Sequence, residues 1–209
     1  MIIDLTDSEE RFIELQRTKE IDSMEEVYFI WWLQELYRNN YIVNPVHYQG
    51  NSYELSSNVN IKKVMQMVTK TKVIERQLLK PHIYTPDFRV QWLANAYLVF
   101  VKPYLHGQDV DSKVPLIFED TSDIVSTGTL IEIKGTFSRQ GGKSDIIFSI
   151  NQKWLYQSRG LYVNKVKIPK FFEETFTPRR YFGTDITNKP RKVNFKTRTI
   201  EEYVWTYNR

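Results

Sequence analysis

Glu132 and Lys134 stand two residues apart in the stretch Leu130-Ile131-Glu132-Ile133-Lys134-Gly135. The stretch reads as a short β-strand. Side chains alternate faces along a strand, so the carboxylate and the ammonium project to one side while Ile131 and Ile133 project to the other. Glu and Lys are depleted in strand interiors, so a pair of them here invites a chemical reading. Gly135 ends the run and lets a backbone or a ligand come close. A second acid, Asp87, lies upstream in Tyr84-Thr85-Pro86-Asp87-Phe88-Arg89-Val90 and opens the alternating apolar run Phe88, Val90, Trp92. Pro86 cannot donate to a ladder and suits a strand start or edge. Two carboxylates, with a backbone carbonyl such as that of Ile133, make the kind of hard-oxygen set that Mg²⁺ takes. An ammonium beside them can orient a water or meet developing negative charge.

Pro-Asp, then Glu-x-Lys 45 positions after Asp87, resembles the PD-(D/E)XK nuclease superfamily, the restriction-endonuclease-like fold. The resemblance implies an α/β fold: a mixed central β-sheet flanked by helices. It implies Asp87, Glu132 and Lys134 as catalytic positions, with Asp87, Glu132 and the Ile133 carbonyl holding Mg²⁺, for which Mn²⁺ can substitute. Members commonly open with a helix whose glutamate reaches the metal site. Asp22-Ser23-Met24-Glu25-Glu26, followed by aromatics and Leu33-x-x-Leu36, looks like the opening of small phage-encoded, resolvase-type or transposase-type nucleases. The Ser-x-x-Glu spacing of that family selects Glu26, with Glu25 as fallback. The helix after the Glu-x-Lys strand often carries a Gln or Lys facing the site, and Gln152 and Lys153 both qualify by type. The implied activity is metal-dependent hydrolysis of DNA phosphodiesters, with branched DNA among the family's substrates. Cutting two strands needs two sites, which implies a homodimer. Two other readings are a non-catalytic nucleic-acid-binding module on the same fold and a phage structural or assembly protein.

Composition fits a folded chain that meets a polyanion. Of 209 residues, 41% are hydrophobic and 14% aromatic, enough for a real core. Net charge is +4, but residues 1–60 carry 11 acids and 4 bases, or −7, so the remainder carries +11. A basic body suits nucleic acid. No stretch approaches the apolar length of a membrane span. The first residues, Met1-Ile2-Ile3-Asp4-Leu5, lack the pattern of a signal peptide. With no cysteine, disulfides and zinc–thiolate sites are excluded, and the reading is a cytoplasmic protein, in the host cytoplasm if phage-encoded. His47, His82 and His106 have no metal-ligand spacing.

The elements that must position the acids follow from periodicity. Residues 1–21 read as an exposed acidic segment with a short helix capped by Ser8. Residues 22–39 are the strongest helix, capped by Asp22 or Ser23, with Glu25 and Glu26 in the first turn and an apolar stripe broad enough to be buried. Residues 69–79 read as extended, and Lys62, Lys63, Lys70 and Lys72 gather as a candidate phosphate surface. Tyr84 to Trp92 and Ala96 to Val101 read as two strands, and 103–127 as a loop-rich insertion. Arg139 and Lys143 follow the Glu-x-Lys strand as phosphate candidates. Asp145 to Arg159 is ambiguous at its start. Read as a helix, it puts Ile146, Ile150, Lys153 and Gln157 on one stripe, and Gly160 stops it. A strand at 161–166 then completes a crossover, so part of the sheet is expected to be parallel. The nuclease core spans 22–168. Residues 169–209 are a basic, aromatic extension packed on it, read as a strand pair, with Arg191 and Lys192 as nucleic-acid candidates.

Overall fold

Helix α2 (Met24–Arg38) begins where Ser23 accepts from the Glu26 N–H and Glu26 answers to the Ser23 N–H, a reciprocal capping box. Its next residues bury almost all round: Val27, Phe29, Ile30, Trp31, Trp32, Leu33 and Leu36. A helix this apolar must be covered on every side, and it organises the larger core. Trp32 stacks on Phe29 and Phe176, with ring centroids 5.4 and 5.2 Å away. Phe88 from the sheet meets Phe29 at 5.2 Å.

The structure, a computed structural model, describes residues 1–104, 114–119, 128–135, 142–183 and 191–207. It is mixed α/β. Five strands form the central sheet: β1 (Ile2–Ile3), β2 (Val46–Tyr48), β7 (Phe88–Val90), β10 (Thr129–Lys134) and β11 (Val163–Lys167), in that spatial order. β10 runs parallel to β11 and antiparallel to β7, as the crossover through helix α3 (Lys143–Arg159) requires. Gly160, at φ 68°, ends α3 in the left-handed conformation expected of a helix stop. Ile131 and Ile133 enter the core under α2. Leu130 enters a smaller cluster on the opposite face with Phe148 and Leu155 of α3. The sheet is therefore covered by a helix on each face.

Four sequence expectations are corrected. Residues 1–21 are not an exposed appendage: β1 pairs with β2, and Phe12 and Leu15 of α1 (Glu9–Arg17) are buried against α2. Strong apolar anchors in an acidic segment were masked by its charge. Ala96 to Phe100 is not a strand: Ala94–Ala96 is a 3₁₀ turn, and strand β8 starts only at Val101. The 103–127 insertion is not all loop, since β8 (Val101–Tyr104) pairs in parallel with β9 (Leu116–Glu119). Asn164 of β11 fastens this piece, accepting from the Ile117 N–H and donating to the Ile117 and Leu130 carbonyls. Among the described residues, 169–207 form helices, α4 (Lys170–Glu174) and α5 (Ile200–Tyr207), rather than a strand pair. Phe171 and Phe172 of α4, Tyr203 of α5 and Phe176 just after α4 fill the core beside α2.

Residues 53–84 form two linked ribbons. β3 (Tyr53–Ser56) pairs with β6 (His82–Tyr84), and between them β4 (Val59–Gln66) pairs with β5 (Thr71–Leu79). No helix among the described residues is long and apolar enough to cross a membrane.

Asn164→Leu strips the backbone of Ile117 of both its side-chain partners. Replacing a buried hydrogen-bonded group in this way costs about 1–3 kcal/mol, read as a lowered midpoint in urea. An unchanged midpoint would show that β9 is held by other contacts.

Candidate active site

β7 and β10 pair from Val90↔Thr129 to Phe88↔Ile131. Two residues further along, the register sets Pro86 opposite Ile133. Proline has no N–H, so it cannot donate to the Ile133 carbonyl there. The Ile133 N–H is taken by the Asp87 side chain, whose Oδ2 accepts from it at 2.7 Å. The Asp87 carbonyl is also held, accepting from the Gln49 N–H at 2.7 Å just past the end of β2. The N–H and C=O of one strand residue point to the same edge, so the Ile133 carbonyl lies on the edge that faces Asp87.

Glu132 projects from β10 into the face covered by α3. Its two oxygens are separately engaged. Oε1 accepts from the Lys134 Nζ at 2.6 Å, and Oε2 accepts from the Tyr84 hydroxyl at 3.0 Å. Lys134 lies 5.6 Å from the centre of the Phe148 ring. The predicted same-side pairing of Glu132 and Lys134 is therefore realised as a direct ion pair, mostly withdrawn from water. Tyr84 was not singled out from the sequence, although it stands three residues before Asp87. Burial, with the charge of Glu132 next, pushes its hydroxyl well above the usual tyrosine range, so it remains a donor.

Among the described residues, Asp87 is a strongly perturbed acid. Burial first, and the negative charge of Glu132 second, push its carboxyl up to about 8. Glu26 raises it further, while the Ile133 N–H and Lys134 oppose the shift. Glu26 itself is buried and shifted upward by that burial. Its Oε2 accepts from the Asp22 N–H at 3.0 Å, the Ser23 N–H at 3.2 Å and the Tyr48 hydroxyl at 2.8 Å. Gln49 donates to Asp22 and to Tyr48, joining the start of α2 to the segment that grips Asp87. Glu26 thus caps its own helix and is also felt by Asp87. Glu25 reaches the end of β10: its Oε1 would be 3.9 Å from a Cβ built on Gly135, and little else crowds that glycine.

A cleft of about 390 Å³ opens over this point, lined by Glu132, Lys134, Lys143, Ser144, Ile147, Phe148 and Asn151. Lys143, one of the phosphate candidates, lines this cleft. Lys153 does not: it lies on the exposed side of α3 with Ile146 and Ile150. The stripe turned inward is Asp145, Phe148, Asn151 and Leu155, because Phe148 and Leu155 bury more apolar surface against the sheet than the isoleucine stripe could. Asn151, which the sequence did not flag, accepts through its Oδ1 from the His82 Nε2 at 2.8 Å. Gln152 donates to the Val163 carbonyl and so ties α3 to β11. Arg191 is also reassigned. Its guanidinium sits 4.3 Å from the ring centres of both Tyr28 and Tyr181 and donates to the Tyr28 hydroxyl, clamping the C-terminal segment to α2. Lys192 is exposed. Arg139 and His106 lie outside the described residues.

Among the described residues no three acidic or histidine side chains already converge as a metal cage. The donor chemistry nevertheless fits Mg²⁺, which takes one or two carboxylates and keeps several waters. Burial and, second, the charge of Glu132 raise Asp87, and a divalent cation between the two carboxyls would relieve the repulsive part. No family model matches this chain, and no curated protein or solved structure matches it.

The raised carboxyl of Asp87 makes a stability prediction with a definite sign. Between its ordinary value of 3.8 and about 8, the folded chain holds a proton that the unfolded chain has released, so stability falls as pH rises through that window. Asp87→Asn keeps an acceptor for the Ile133 N–H and removes the charge. The variant should melt higher than the native chain at pH 8, by roughly 2–4 °C or more for about 1 kcal/mol regained. The difference should shrink to nothing near pH 4. A variant that melts lower at pH 8 would refute the electrostatic account.

Proposed function

We propose that this chain is a metal-dependent DNA endonuclease of the PD-(D/E)XK type. The observation that carries the reading is the meeting of Asp87 and Glu132, 45 residues apart in sequence, at one point of the sheet, where the Asp87 carboxylate is pinned to the Glu-x-Lys strand by the Ile133 N–H. The order of parts supports a restriction-endonuclease-like core: a helix with Glu26, an antiparallel strand led by Asp87, the Glu-x-Lys strand, then a crossover helix to a parallel neighbour.

Each side chain has a defined task in that reaction. Asp87, Glu132 and the Ile133 carbonyl would hold one or two Mg²⁺, with Mn²⁺ as substitute. Such an ion would supply charge stabilisation at the scissile phosphate and acidify a water for in-line attack. Lys134 is placed to orient an attacking water or to meet the charge developing on the phosphoryl oxygens. Tyr84 holds the Glu132 carboxylate in its orientation and, staying protonated, takes no proton from the reaction. Glu26 fixes the start of α2 against the segment that carries Asp87. Lys143, at the lip of the cleft, meets a flanking phosphate. Two strands of a duplex call for two such sites, so the enzyme cuts as a homodimer, in the cytoplasm of the cell that holds the DNA.

Linear, nicked, flapped and four-way-junction DNA incubated with Mg²⁺ or Mn²⁺ test the proposal. The native chain should cut at least one of them, and the product pattern names the preferred structure. Glu132→Gln, Asp87→Asn and Lys134→Ala should each slow cutting by about 100-fold or more, while leaving DNA affinity within a few-fold. Binding without cutting by the native chain would instead leave a nucleic-acid-binding module on the same scaffold. Cutting that survives Glu132→Gln would remove the site proposed here.

A further inference from the structure

The ribbon β4–β5 is exposed along nearly its whole length, with only Ile74 partly covered. Val68, at its tip, is fully exposed. A two-stranded ribbon is marginal by itself in water, and this one still offers Ile61, Val64, Met65 and Val73 to solvent. Its two faces differ sharply. Directly opposed residues of an antiparallel pair share a face. One face is made of three successive rungs, Ile61↔Arg76, Lys63↔Ile74 and Met65↔Lys72. Each rung sets one cation beside one apolar side chain, and no acid appears. The other face holds Asn60↔Gln77, Lys62↔Glu75, Val64↔Val73 and Gln66↔Thr71, whose one cation has an acid directly across from it.

We propose that the cationic face of the β4–β5 ribbon is a duplex-DNA-binding arm that lies in the major groove and feeds the strand to the Asp87–Glu132 site. The inference rests on the nuclease reading for the identity of that site, and its physical warrant is the ribbon. The major groove of B-DNA admits a two-stranded ribbon, its walls carry the phosphates that Lys63, Lys72 and Arg76 would meet, and its floor carries thymine methyls for Ile61, Met65 and Ile74. Eight or nine residues per strand reach roughly 26–30 Å at about 3.3 Å per residue, nearly one helical turn. A-form RNA closes its major groove to side chains. Single strands and membrane interfaces are gripped by aromatic rings, and residues 59–79 contain none. A second copy docking the same face on itself would set three cations against three.

The ribbon is also wired to the reaction centre. Its root is the β3–β6 pair, where Tyr84 is opposite Tyr53 and donates to Glu132. His82, at the start of β6, stacks on Trp154 of α3 with ring centres 5.5 Å apart and bonds to Asn151 of the cleft.

The test is binding of a fluorescently labelled linear duplex to the full chain, without divalent metal, across a range of salt. The variant is Lys63→Gln/Lys72→Gln/Arg76→Gln. The control is Lys62→Gln/Glu75→Gln on the other face, which leaves net charge unchanged. The triple variant should bind about tenfold more weakly or worse, and its log–log salt slope should flatten by about 2–3, near 0.9 per lost phosphate contact. The control should match the native chain, and all three should melt alike, since the substituted side chains are exposed. Unchanged affinity and slope in the triple variant would overturn the proposal. So would equal loss in the control, tighter binding of single strands by the native chain, no duplex binding at all, or a change in oligomeric state as the variant's sole effect. A native chain that binds through the ribbon and cuts nothing with Mg²⁺ would sink the nuclease reading and leave the arm standing.

Discussion

The hydrogen bond from the Ile133 N–H to the Asp87 carboxylate is the constraint on which the site depends. It lies just past the last paired rung of the β7–β10 ladder, next to a proline that has no N–H to offer. A backbone acceptor would have made an ordinary strand end. A side-chain acceptor instead fixes a carboxylate against the strand that carries Glu132 and Lys134. Burial first, and the charge of Glu132 second, raise Asp87, and the neighbouring cation only partly offsets them. Ionising Asp87 beside Glu132 is costly, and a cation that favoured the ionised form would offset that cost.

The surrounding structure is organised to hold that arrangement. Trp32, Phe29 and Phe88 fix α2 against the sheet from one side, and Phe148 and Leu155 fix α3 from the other. The start of α2 is bound to the segment after β2 through Glu26, Tyr48 and Gln49, and Gln49 holds the Asp87 carbonyl. Glu26 therefore has a structural duty as well as a place in the field of Asp87. The basic C-terminal segment is largely spent on internal contacts: Arg180 reaches Glu9 and Glu10, Arg191 is held between two tyrosines, and Arg198 bonds to the carbonyls of Glu173 and Glu174. Among the described residues, the β4–β5 ribbon carries an exposed basic face.

Much of the core was legible in the sequence because period and capping agree there. Ser8 and Ser23 cap the helices they were expected to cap, Gly160 stops α3, and the strand–helix–strand order gives the parallel β10–β11 pair. The pairing of Glu132 with Lys134 followed from the two-residue strand period alone. What could not be read was set by tertiary choice. Either of two stripes of α3 could have been buried, and packing of Phe148 and Leu155 decided against the one with Lys153. Ala96 to Val101 has strand-forming residues, yet the chain turns at Ala94–Ala96 and pairs only from Val101, in parallel with a strand hidden in the insertion. Tyr84 and Asn151 carry no signal in isolation, because their roles depend on which acids and helices the fold sets beside them.

The most direct measurement is an NMR titration of the Asp87 side-chain carboxyl with and without Mg²⁺. The account predicts titration near 8 in metal-free protein and a marked fall once Mg²⁺ is present, because a bound cation favours the ionised form. An Asp87 that titrates in the ordinary carboxylate range without metal, or whose titration Mg²⁺ does not move, would contradict the claim that Asp87 and Glu132 form one cation-seeking site.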